Sequence, residues 1–326
     1  MIRHLAVFPL RVSRWEMNAE DHVRRWVRDS GLVSSDRARE RFERTAPGSL
    51  TARVYALASK RRRLEVCADW IGWLFLIDDQ FDEGDTGRSV DTADRLIARL
   101  LPVLDDAQPG PTSLALSNAF ADVRERLLLP MPEHWRRRFD GHVRDYLTAC
   151  RWESANRQAN RTPTVTEFPA ARRDAGAIWP SLDLLEYAIG ETLPDCLYLS
   201  EPFQELVTAA ADVVCWTDDI FTVEKERAHG DVHNYVLILE RYESMSPEQA
   251  THRLEDMIAK RVAEFQKIAM GNLANLQEQA LKNASYSTVS SILSGLRDWM
   301  RGHLDWGMTT VRYQHLAYPL TEGKPS

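Results

Sequence analysis

Between Ala68 and Glu83 the chain reads A-D-W-I-G-W-L-F-L-I-D-D-Q-F-D-E, an apolar run that ends abruptly in acid. No other stretch constrains the fold as much. Ile71, Trp73, Leu74, Phe75, Leu76 and Ile77 predict burial on all sides, and Asp78, Asp79, Asp82 and Glu83 follow directly. Carboxylates rarely enter an interior unless they are paired or bound to a metal. In a helix, Asp78 and Asp82 lie about one turn apart on one face. Such a helix carries acids from an apolar core to a cavity mouth. Oxygen-only ligands suit a hard ion, Mg2+ with Mn2+ as its substitute. The competing reading is a solvated acidic helix end, which short motifs of this kind often are.

The rest of the chain has the material to surround that helix. Of 326 residues, 44% are hydrophobic and 27% charged, the profile of a globular protein with a large core. A formal net charge of −7 argues against general nucleic-acid binding. The basic runs Arg61-Arg62-Arg63 and Arg136-Arg137-Arg138 read as solvated helix faces. Cys67, Cys150, Cys196 and Cys215 form no C-x-x-C pair and have apolar flanks, so buried free thiols in a reducing compartment are expected. The opening M-I-R-H-L-A-V-F-P-L-R-V is too short in its apolar part for a signal peptide, and no run approaches a membrane span. The expected location is the cytoplasm.

Helical periodicity dominates from Ala19 onward. Residues 1–15, with Pro9, read as an irregular strap, and residues 319–326, after Pro319, as a loose tail. Helices are predicted over 20–29, 37–45, 62–81, 90–104, 114–128, 133–156, 164–173, 178–189, 202–226 and 286–301. Ser246-Pro247-Glu248-Gln249 announces another: a Ser cap, Pro at the first helical position and Gln three after the cap. Strand-like alternation is nearly absent, and there is no internal repeat or Gly/Ser linker. The expectation is an all-α single domain over residues 1–326, a helical bundle around a central cavity.

A second apolar run meets acid at V-V-C-W-T-D-D-I-F-T-V-E-K-E, residues 213–226. Asp218, Thr222 and Glu226 recur every four residues and so line one helical stripe. Two carboxylates and a hydroxyl on such a stripe can clasp one hard cation, and Lys225 beside them can meet an anion. Surface amphipathicity explains Glu224 and Glu226, but not an Asp218-Asp219 pair directly after Val213, Val214, Cys215 and Trp216. His229, Asp231 and His233 read as packing or capping residues rather than a zinc site. Gly230 is expected to end this helix and Asp231 to cap the next.

Two acid-bearing helices far apart in sequence imply opposite walls of one cavity. D-D-Q-F-D-E at 78–83 resembles the aspartate-rich motif of class I terpene synthases, and D-D-I-F-T-V-E-K-E at 218–226 resembles their second metal motif. Arg312-Tyr313 is similar to the pair near the C-terminus of the bacterial-type enzymes. W-E-S-A-N-R at 152–157, R-R-D-A-G at 172–176 and D-W-G-M-T-T at 305–310 accompany them in the same order, so the resemblance spans nearly the whole chain. It implies three Mg2+ ions: Asp78 bridging two, Asp82 a variable or outer ligand, and Asp218, Thr222 and Glu226 holding the third. It implies that Asp79 pairs with Arg312. It gives Arg172, Lys225, Arg312 and Tyr313 to the substrate diphosphate, with Arg172 as its sensor. Gly176 falls at the helix break that faces the nascent cation. Asp218 and Thr222 stand where bacterial members usually have Asn and Ser. Ala175 stands where a polar side chain often links sensor to break, which leaves either Asp174 as a substitute link or no link at all.

The implied activity is Mg2+-dependent ionisation and cyclisation of an isoprenyl diphosphate, with farnesyl diphosphate the best fit and geranyl or geranylgeranyl diphosphate as alternatives. Phe75, Trp306, Trp299 and Trp179 are the candidate pocket aromatics, since aromatic faces stabilise passing cations. A monomer or homodimer with no nucleic-acid partner and no membrane span is expected. The rival readings are a prenyl diphosphate synthase, which would need a second D-D-x-x-D, and a non-enzymatic helical binding protein.

Overall fold

The apolar run from 68 to 77 forms the middle of α4 (Arg61–Asp82), and Trp70, Trp73 and Ile77 on it are wholly buried. The computed structural model describes residues 3–82, 85–107, 110, 113–271 and 286–313. Around α4 stand α1 (Glu16–Asp29), α2 (Asp36–Thr45), α3 (Pro47–Val54), α5 (Val90–Leu104), α6 (Ala115–Leu128) and α7 (Glu133–Ala159). Then come α8 (Phe168–Ala175), α9 (Ile178–Ile189), α10 (Asp195–Tyr198), α11 (Glu201–His229), α12 (Tyr235–Glu243), α13 (Pro247–Gly271) and α14 (Tyr286–Gly307). No strand occurs among the described residues, and the helices share one apolar core.

Local sequence sets the ends. Ser35 caps α2 by accepting from the Ala38 amide at 3.1 Å. The predicted capping box of α13 forms in both directions: Ser246 N donates to Gln249 Oε1 at 2.9 Å, and Gln249 N to Ser246 Oγ at 3.3 Å. Gly230 ends α11 at φ +70°. Three helices escaped the periodicity reading: α3, α10 and α12. The eight-residue α3 is buried over most of its length and so has no polar face to reveal a period. It crosses α1 so closely that a Cβ on Gly48 would fall 2.4 Å from Glu20 Cα. Asp231 does not cap the helix after α11; Asn234 caps α12, its Oδ1 accepting from the Val236 amide at 2.9 Å.

Other expectations are corrected by burial. Arg138 does not lie on a solvated face: it donates to Asp183 at 2.8 Å and stacks over the Tyr198 ring at 3.6 Å. Cys67, Cys150 and Cys215 are buried, but Cys196 on α10 is exposed. The N-terminal segment contains a short 3-10 turn (Arg3–Val7) and places Leu5 and Phe8 in the core. Arg11 then ties it to α14 through Asp298 at 2.8 Å and the Ser294 carbonyl at 2.9 Å. The tail at 319–326 and Glu83 lie outside the described residues.

Candidate active site

A cavity of about 170 Å3 opens where α4, α7, α9, α11 and α14 converge. Its mouth carries both acid motifs: Asp78 from α4, and Asp218, Thr222 and Glu226 from α11. Its body is lined by side chains such as Ile71, Leu74, Phe75, Ile178, Val214 and Trp306. The two acidic stretches therefore do face one hollow. Asp82 is in α4, but its side chain lies outside the described residues.

Cationic groups converge on the same mouth. Arg312 donates to Asp78 at 2.7 Å and to Asp79 at 3.0 Å, and its guanidinium lies 4.5 Å from the centre of the Phe75 ring. Tyr313, the next residue, donates its hydroxyl to Asp218 Oδ1. Arg172 reaches across from α8, donating to Asp218 at 2.8 Å and to the fully buried Asp219 at 2.7 Å. Lys225 lines the cavity and lies close enough to act on the charge of Asp78.

These contacts divide two adjacent aspartates. Burial works against ionisation of Asp218, but His303, Arg172 and Tyr313 outweigh it and hold its carboxyl well below the usual range. At Asp219 burial prevails over Arg172, and its carboxyl is pushed up to about 6. Asp219 is a brace between elements: its second oxygen accepts from the Tyr235 amide at 3.1 Å, at the start of α12. Burial also pushes the Cys215 thiol up to about 12, which leaves it an inert part of the wall.

The break between α8 and α9 is tight. Gly176 closes α8, Ala177 takes a left-handed φ of +48°, and α9 starts at Ile178. A Cβ on Gly176 would lie 2.8 Å from Arg172 Nη1, so Arg172 packs directly on the break. Asp174 accepts from Trp179 Nε1 at 2.8 Å. The same bond turns Trp179 toward Asp174, and Trp179 does not line the cavity. Phe75, Trp299 and Trp306 do. Phe75 and Trp306 stack with centroids 5.6 Å apart, and the Trp306 indole donates to the Thr45 carbonyl at 3.0 Å.

Sequence reasoning gave no role to three contributors: Asn234, His303 and Arg157. Asn234 Nδ2 donates to Glu226 at 2.7 Å and to the Asp219 carbonyl at 2.7 Å, with Thr222 Oγ1 at 3.4 Å, so it braces the second motif from behind. His303, on α14, brings Nε2 within 3.4 Å of Asp218 Oδ1. Arg157, inside the W-E-S-A-N-R stretch, binds Asp231 at 2.9 Å on the cavity wall. Asp231 in turn holds the buried His233 at 2.8 Å, while His229 is exposed and hydrogen-bonds Lys225 O. The signal for Asn234 was a cap position and that for Arg157 the W-E-S-A-N-R stretch; His303 carried none beyond residue type.

The donor set of Asp78, Asp218, Thr222 and Glu226 is all oxygen and fits a hard divalent cation in kind. Among the described residues no three His, Cys, Asp or Glu side chains are gathered into a ready cluster. Asp78 and Asp218 instead accept from Arg312, Arg172 and Tyr313. A cation bound there would compete with those donors for carboxylate oxygens, and Arg172, Arg312 and Tyr313 are groups that suit an anion.

Comparison with known proteins agrees with this layout. Residues 69–264 match the family model for terpene synthase family 2, C-terminal metal binding. A (+)-T-muurolol synthase, (2E,6E)-farnesyl diphosphate cyclizing, of Roseiflexus castenholzii is 38% identical over 88% of this chain and 86% of its own. A (-)-delta-cadinene synthase of Streptomyces clavuligerus is 36% identical over 89% of this chain and 88% of its own. Among solved structures, a linalool/nerolidol synthase from Streptomyces clavuligerus superposes with a TM-score of 0.82 at 27% identity, over 92% of this chain and 98% of that one. No helix among the described residues is long and apolar enough to cross a membrane. Kinship over nearly nine tenths of the length, joined to two acid motifs on one apolar cavity, places the chain among the class I terpene synthases of the bacterial type.

Proposed function

We propose that this enzyme ionises farnesyl diphosphate with the help of Mg2+ and cyclises the released allylic cation to a sesquiterpene hydrocarbon or alcohol. One observation carries the reading: acids of both motifs, cationic donors and apolar and aromatic side chains line a single cavity. The muurolol synthase relative, named as farnesyl diphosphate cyclizing, supports the fifteen-carbon substrate. Mg2+ would be held by Asp78 on one side and by Asp218, Thr222 and Glu226 on the other, with Asp82 near the first set. Bound there, it supplies Lewis-acid neutralisation of the departing diphosphate.

The chain's own residues do the rest. Arg172, Lys225, Arg312 and Tyr313 orient the diphosphate and donate hydrogen bonds as its charge grows. Arg172 couples that event to the helix break, because its guanidinium rests on Gly176. Phe75, Trp299 and Trp306 present aromatic surface to the cationic chain, each worth about 0.5–2 kcal/mol where water is excluded. Ile71, Leu74, Ile178 and Val214 keep the body of the cavity dry, which protects the cation from premature capture.

The test is gas chromatography–mass spectrometry after separate incubation with geranyl, farnesyl and geranylgeranyl diphosphate and Mg2+. A cyclic fifteen-carbon product from farnesyl diphosphate is expected. Turnover of another chain length alone would reassign the substrate. A longer diphosphate formed with added isopentenyl diphosphate would turn the reading to chain elongation.

A further inference from the structure

Tyr313 is held by four side chains drawn from two helices, Asp218 and Phe221 on α11 and His303 and Trp306 on α14. Its ring stacks on Phe221, with centroids 5.4 Å apart and planes 8° from parallel. Trp306 meets the same ring edge-on at 5.3 Å. The hydroxyl donates to Asp218, and His303 Nε2 lies 3.3 Å from it. Phe221 sits on α11 between Asp218 and Thr222, so it rides on the helix of the second metal motif.

The Phe221 ring can lie there only because the last residue of α14 has no side chain. A Cβ on Gly307 would fall 2.4 Å from Phe221 Cε2, 2.8 Å from Cδ2 and 3.1 Å from Cζ. A ring already stacked on one face has little freedom to yield to such an intruder. Gly307 is helical, so its glycine identity answers to this close approach rather than to a turn.

We infer that Phe221, seated in the slot left by Gly307 and joined by His303, is a positioning residue that docks the Arg312–Tyr313 pair onto the α11 helix. The consequence is that the diphosphate donors at the C-terminal end are aligned by the second acid motif itself. The inference rests on the proposed role of Arg312 and Tyr313 in binding diphosphate, and it adds what sets their position. Phe221 itself does not line the cavity.

The experiment compares Phe221→Leu, Gly307→Ala, Phe221→Tyr and Tyr313→Phe by two measurements. One is the affinity for inorganic diphosphate with Mg2+ by calorimetry. The other is the rate at which trypsin cuts between Arg312 and Tyr313, followed by mass spectrometry. Phe221→Leu and Gly307→Ala should each weaken diphosphate binding about 3–10-fold, the scale of one lost aromatic contact. Both should speed the cut, and Phe221→Tyr should restore both readouts. An unchanged cut rate in both variants overturns the docking role. Should Tyr313→Phe leave diphosphate affinity untouched, the binding role of its hydroxyl falls, while the cut rate still decides on the dock.

Discussion

Arg312 and Tyr313 are consecutive residues that bind acids from opposite motifs, Arg312 donating to Asp78 at 2.7 Å and Tyr313 to Asp218. Two adjacent side chains thus bridge helices remote from each other in sequence. Arg312→Ala should weaken diphosphate binding and lower kcat by about 10²–10³-fold, the cost of one strong donor to a developing anion. Asp78→Ala and Glu226→Ala should abolish turnover with the thermal midpoint nearly unmoved. Steady-state kinetics beside a melting curve decides this. Full activity in Asp78→Ala would contradict the assignment.

Gly176→Ala separates the helix break from the chemistry of any side chain. The new methyl would lie 2.8 Å from Arg172 Nη1 and 3.1 Å from the Arg172 carbonyl. The guanidinium must shift, and Asp218 and Asp219 lose their alignment with it. We expect kcat to fall about 10–100-fold, as misplacement of an orienting group does, while the fold persists. Kinetics equal to the parent enzyme would show that Arg172 has room to spare.

Asn234→Asp tests the brace behind the second motif without losing the α12 cap. The carboxylate can still accept from the Val236 amide, but it can no longer donate to Glu226 or to the Asp219 carbonyl. A new negative charge also faces Glu226. Mn2+ affinity, read by electron paramagnetic resonance in the presence of diphosphate, should change at least several-fold, whereas Asn234→Ala should in addition destabilise the protein by about 1–2 kcal/mol. Identical Mn2+ titrations for Asn234→Asp and the parent would remove Asn234 from the site.

The acid-terminated runs were legible because burial beside carboxylate is costly unless the acid is paired or binds a metal, and here Asp78, Asp218 and Asp219 are paired with arginines. Helix boundaries with side-chain caps, such as that of α13, were legible for the same local reason. What stayed hidden depends on distance across the fold. Asn234 looked like one polar residue among many until α12 brought it under Glu226. Trp179 was a candidate pocket aromatic by residue type alone, but it hydrogen-bonds Asp174 and does not line the cavity. Burial all round hid α3, since periodicity needs a polar face to contrast with.

Product choice should respond to Phe75 more cleanly than to Trp306. Trp306 is 2% exposed and its indole holds the Thr45 carbonyl, so its truncation would cost about 3–5 kcal/mol in folding. Phe75 is only partly buried and lines the cavity one turn before Asp78. Phe75→Leu keeps apolar bulk and removes the π face. The product mixture from farnesyl diphosphate should change, with turnover reduced by less than about tenfold, as expected for loss of one cation–π contact. An identical chromatogram would return Phe75 to plain packing.

The contact of the N-terminal segment with Asp298 gives the fold a pH response outside the metal motifs themselves. Burial pushes the Asp298 carboxyl from 3.8 up to about 6, against the opposing pull of Arg11 and Arg297. A carboxyl that holds its proton more tightly when folded stabilises the fold at low pH, and that contribution fades as pH rises from about 4 to about 6. Asp298→Asn cannot titrate but still accepts from Arg11. The stability of the parent relative to Asp298→Asn should therefore fall across that window, by about 1–3 kcal/mol. Urea denaturation of both proteins at pH 4, 5, 6 and 7 measures it, and the difference cancels every other titrating group the two share. Parallel curves would mean that the ion pair with Arg11 fully offsets burial, leaving the segment pinned to α14 with equal strength at every pH.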